Sequence, residues 1–133
     1  MTLNRESVVY GITQIIKRHA NVSDNEKLLK MSENILETSI YFVKFLGENN
    51  SSRDLEDLIN NAANRSDTYV RKVLSGTSLA FAFGMLNLPA NVVGGLTGSY
   101  ISKVYGNFNS DEKTSITNMI RETYVFSKDN TPL

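Results

Sequence analysis

The residues able to do chemistry in this chain are few, and they stand apart. Glu33 and Glu37 lie one helical turn apart and form the one carboxylate pair with good geometry. Lys30 precedes both on the same stretch, so the pair reads as a solvated ion-pair face. A di-metal bundle site would also need a Glu-x-x-His on another helix, and His19 is the only histidine. No carboxylate lies three or four residues from His19, so zinc is not expected there. His19 falls where the first helix should end. An imidazole at that place meets the negative helix terminus, and capping is its expected role. Cysteine is absent, which removes disulfides and thiolate ligands. Gly-x-Ser-x-Gly is absent too, and the lone histidine is the only candidate base for a nucleophile. No catalytic, metal or cofactor residue is assigned, and no enzyme is expected.

Nucleic acid is not an expected partner either. Gly95-Leu96-Thr97-Gly98, followed by Ile101 and Val104, matches the GxxG-xx-I-xx-V spacing of KH domains, whose loop clamps a nucleic-acid backbone. The inner positions here are Leu96 and Thr97, with no base to meet phosphate, and no strands flank the segment. No Gly-Lys-Ser/Thr follows to make a nucleotide loop. Fourteen acids balance fourteen bases, and the bases are scattered, Lys17–Arg18 and Arg71–Lys72 being the tightest groups.

The elements that carry these residues read as helices throughout. Val8, Val9, Ile12, Ile15 and Ile16 place a first helix over about Leu3 to His19. Ser23-Asp24-Asn25-Glu26 is a capping box with Ser23 as the cap. It opens a second helix with a broad apolar face of Leu28, Leu29, Ile35, Leu36, Phe42 and Val43, stopped by a left-handed Gly47. Ser51 starts a third helix through Leu55, Leu58, Ile59, Ala62 and Ala63, which Asn64 to Ser66 break. Val70, Val73 and Leu74 then continue helical spacing to Gly76. After a loop from Gly106, Ser110 caps a last helix through Ile116, Met119, Ile120 and Tyr124, and 128–133 is expected to fray. Period-two alternation and hairpin turn pairs are missing. The expected fold is all-α: a single domain over 1–133, a bundle of about five or six helices around a Gly-rich, Pro-broken hydrophobic hairpin at 73–105.

That hairpin is the most distinctive feature. Val73 to Ser102 carries no charged residue, in a chain where 21% of residues are charged. Pro89, between Asn87 and Asn91, divides it into arms of about Thr77–Leu88 and Ala90–Tyr105. Each arm is roughly 21 Å long as a helix, too short for a bilayer core of about 30 Å. Ala80 with Gly84, and Gly94 with Gly98, have the i, i+4 spacing of small residues that lets backbones approach closely. With Gly95 the second arm keeps three glycines in five positions, each costing roughly 1 kcal/mol against alanine in a helix. The expectation is that Ala80, Gly84, Gly94, Gly95 and Gly98 pack closely at the centre of the bundle.

A charge-free helical hairpin flanked by Arg71, Lys72 and Lys103 resembles, in style, the buried hairpin of pore-forming colicins. The resemblance implies the alternative function, a membrane-active bacterial toxin or translocation domain that inserts the 73–102 hairpin, and with it conditional membrane association. The reading of the residues themselves favours a non-enzymatic protein partner-binder: an inhibitor, immunity-type or accessory protein, bacterial or phage. Tyr41, Tyr69, Tyr100 and Tyr105 are the expected anchors of its partner surface, with Tyr10 beside them. The N-terminal stretch lacks the apolar core of a signal peptide, so the expected location is the cytoplasm, or export by another route.

Overall fold

A helix leaves its first amides without partners, and in this chain short polar side chains take them up. The computed structural model describes residues 4–20, 22–48, 51–64 and 68–130, apart from the side chains of Ser52 and Tyr69. Among them are six helices and no strand. α1 (Arg5–His19) follows Asn4, whose Oδ1 accepts from the amides of Glu6 at 2.9 Å and Ser7 at 3.4 Å. α2 (Asn25–Glu48) follows Asp24, which accepts from Glu26 at 3.0 Å and Lys27 at 3.3 Å. Ser51 Oγ accepts from Asp54 N at 3.2 Å and opens α3 (Ser52–Asn64). Thr68 caps α4 (Tyr69–Met85), and α5 (Ala90–Val104) begins after Pro89 with no side-chain cap. α6 (Ser110–Asp129) has a full capping box between Asn109 and Glu112.

Several boundaries differ from the sequence reading. Asp24, not Ser23, caps α2: its carboxylate stands one residue nearer the helix, and a negative charge suits that terminus. Asn109, not Ser110, caps α6, because Glu112 three residues into the helix returns the bond. Gly47 stops nothing; α2 runs through it to Glu48, and no described glycine has positive φ. α4 passes straight through Gly76, so the first arm of the hairpin starts at Tyr69 rather than Thr77. α3 ends at Asn64, in keeping with a break there, while Ser66 lies outside the described residues. Of the tail expected to fray, Lys128 and Asp129 belong to α6, and residues 131–133 lie outside the described residues.

α4 is the central helix. Every residue from Gly76 to Gly84 is buried, and the helix packs chiefly on α6 and α2. α1 lies on α2 and α6, while α3 and α5 pack on each other and on α4. A helix buried all round has no face on which a charge could reach water, which accounts for the first half of the uncharged run. Leu79, Phe81 and Phe83 are no more than 2% exposed. Side chains of that size stabilise the fold by about 1.5–3 kcal/mol each through burial. Hydroxyl groups tie the layers without bulk. Thr13 and Ser32 share a 2.8 Å bond between α1 and α2, and Ser39 donates at 3.1 Å to the Ser78 carbonyl across α2 and α4.

The corner after α4 closes as expected of its turn-formers. Leu88 N donates to Phe83 O at 3.1 Å and Asn87 N to Gly84 O at 2.9 Å, a Schellman pattern. Asn87 supplies the left-handed residue, with φ of 52°. Asparagine is one of the few side chains that tolerate that conformation. The Tyr124 hydroxyl donates at 2.6 Å to the Leu88 carbonyl, fastening the corner to α6.

Candidate functional site

The small residues of the two arms part company. Ala80 is fully buried, and a Cβ added to Gly84 would overlap Ser127 Oγ and come within 2.6 Å of the Tyr124 carbonyl oxygen. Gly84 therefore lies close against α6 where α4 crosses it, with Ala80 buried one turn earlier. Gly94, Gly95 and Gly98 are exposed, and a Cβ added to any of them would meet nothing within 4 Å. The expected close packing through these three is overturned. Val93, Tyr100 and Val104 form the inner stripe of α5, and this places the glycines on the opposite face.

The tyrosines divide in the same way. Tyr100 and Tyr105 are 2% and 0% exposed, so neither belongs to a partner surface. Their rings meet edge-on with centroids 5.5 Å apart and cover Gly76. Both hydroxyls are directed at the Lys72 carbonyl, which ties α5 and the chain after it to α4. The side chain of Tyr69 lies outside the described residues. Tyr41 is 58% exposed and lines a cleft of about 420 Å³ between α2, α3 and α4, with Phe42, Phe45 and Leu58. Glu37 stands on the rim of that cleft.

A second groove, of about 440 Å³, runs between α5 and α6. Gly94 and Gly98 form its α5 wall with Val93 and Ile101, while Arg121 and Val125 stand on α6. Arg121 is the only charged residue among those that line it. Val125, one turn further along α6, is 48% exposed. Arg121 and Val125 also line the cavity on the other side, toward α1, so they form a ridge between two grooves.

Among the described residues, Arg18, His19 and Glu122 gather where α1 meets α6. Glu122 accepts from Arg18 at 2.8 Å and contacts His19 Nε2 at 2.9 Å. The Arg18 guanidinium is the main reason the Glu122 carboxyl sits below its ordinary range. Partial burial opposes that shift, and the His19 bond and the charges of His19 and Arg18 add to it. His19 does end α1 as expected, yet its ring is held by a carboxylate 103 residues away. Lys30 pairs with Glu26 at 4.0 Å and Glu37 with Arg5 at 3.1 Å, so the expected face of Lys30 with Glu33 and Glu37 does not form. A lysine reaches a glutamate one turn toward the N-terminus in the better orientation. Among the described residues no group of three or more His, Cys, Asp or Glu side chains could hold a metal ion.

Compared with family models, curated proteins and solved structures, the chain matches none. The site therefore rests on its own geometry. Arg121, Val125 and Glu122 carry no local signal in the sequence, since their roles depend on helices far apart in the chain. Gly11 did carry one. It interrupts the apolar stripe of α1, and a Cβ there would overlap the Phe126 ring of α6.

Proposed function

We propose that this chain is a non-enzymatic binding protein of the inhibitor, immunity-type or accessory kind, and that it takes a protein partner in the α5–α6 groove. The observation that carries the reading is the outer face of α5. Three interior glycines cost that helix roughly 1 kcal/mol each. None of the three has a neighbour within 4 Å of a built Cβ, so no packing inside the molecule offsets the cost. A bare helix face beside an apolar groove suits the close approach of another backbone.

Membrane insertion of the 73–102 hairpin is the competing reading, and less supports it. No helix among the described residues is long and apolar enough to cross a membrane. Insertion would also pull nine consecutive buried residues of α4 from the centre of the bundle.

A library of displayed helical peptides panned against the folded protein tests the groove. Selected binders should lose at least tenfold in affinity on Gly98→Phe, which fills the open face, and keep their affinity on Tyr41→Ala. Binders indifferent to Gly98→Phe would remove the groove from consideration. Co-sedimentation with anionic liposomes at pH 7 and pH 5 should show no binding; pelleting with the vesicles favours the membrane reading.

A further inference from the structure

We infer that the occupant of the α5–α6 groove is an amphipathic helix of another protein that presents a carboxylate to Arg121; the inference rests on the groove reading above. The α5 wall runs from Ala90 to Ile101 and so is about 17 Å long, room for about three helical turns. The lining is apolar or small apart from its threonines, Tyr124 and Arg121, and it contains no acid. Among the described residues Arg121 makes no ion pair. Its neighbour Glu122 is already engaged by Arg18 and His19. A lone guanidinium beside an apolar trough is complementary to one acidic side chain on an otherwise apolar helix face.

Two other occupants fit less well. A second copy pairing through the same face would be symmetric. Arg121 stands midway along the α6 wall, between Thr117 and Val125, so two copies would bring their guanidiniums toward one axis with no acid between them. A lipid surface would meet the polar exposed side chains of Asn91, Ser99 and Ser102 rather than an apolar face.

The experiment uses helical peptides selected on the full chain, labelled for fluorescence anisotropy. Selected sequences should share an Asp or Glu at one register position. Arg121→Glu should weaken them about tenfold or more, and a Glu→Lys change in the peptide should recover affinity for that variant. Arg121 is exposed, so circular dichroism should show Arg121→Glu folded as wild type. Peptides blocked by Gly98→Phe but indifferent to Arg121→Glu would overturn the carboxylate while leaving the groove standing. Peptides indifferent to both would overturn the two readings together. A wild-type dimer in sedimentation equilibrium that Gly98→Phe dissociates would make the occupant a second copy and overturn the inference. So would binding to phosphatidylglycerol vesicles that Gly98→Phe abolishes.

Discussion

Glu122 gathers Arg18 and His19 onto one carboxylate, and at the residue scale this is the place where pH should reach the fold. Its carboxyl is depressed in the folded chain, so between the unfolded and folded values the unfolded chain binds more protons. The stability Glu122 contributes is therefore fully present above about pH 5 and is lost as pH falls through the depressed value. Its side chain is 39% exposed, so solvent screening limits the contribution to about 0.5 kcal/mol. Urea titrations from pH 7 to pH 3 should show a shallower acid-side loss for Glu122→Gln than for wild type, with equal slopes counting against the pairing. None of this was legible in the sequence. The sequence around His19 shows only its near neighbours, and a partner on a helix beginning some ninety residues later leaves no periodic trace.

At the scale of elements the two small-residue pairs should answer oppositely to alanine. Gly84→Ala pushes a methyl onto the Tyr124 carbonyl and the Lys128 amide of α6, neither of which moves without the helix. A loss of about 1–3 kcal/mol is expected, as for other overpacked crossings. Gly94→Ala and Gly98→Ala enter open space and should each raise stability by up to about 1 kcal/mol. Thermal melts of the three variants decide the matter, and a destabilising Gly98→Ala would mean that the face of α5 is not bare. Helix number and the Pro89 corner were legible, because caps, apolar spacing and proline act locally. Which way each helix faces was not. Ala80/Gly84 and Gly94/Gly98 share one spacing, and only the rows beside them separate the cases: apolar on all sides around α4, a single Val93–Tyr100–Val104 stripe on α5. Tyr100 and Tyr105 misled for a related reason, since a tyrosine serves equally well as a surface anchor or as a core ring whose hydroxyl reaches a carbonyl.

At the scale of the whole molecule, the uncharged run turned out to hold two different environments, a central helix and a surface one. An uncharged stretch shows that no charge is needed, not that the stretch is covered. The remaining contacts join helices one or two apart in the chain, but α1 and α6 meet across about a hundred residues, through Glu122 and through Phe126 laid over Gly11. Contacts so distant in the chain carry the largest loop-closure cost and are expected to close late. Phe126→Ala removes a ring packed between α1 and Phe81 and should cost about 2–3 kcal/mol. In stopped-flow denaturant series that loss should fall almost wholly on the unfolding limb, with the refolding rate close to wild type. A refolding rate that drops in proportion would place the α1–α6 contact in the folding nucleus instead. If it does form last, this clasp has little say in how fast the chain reaches its native state and much in how long it stays there.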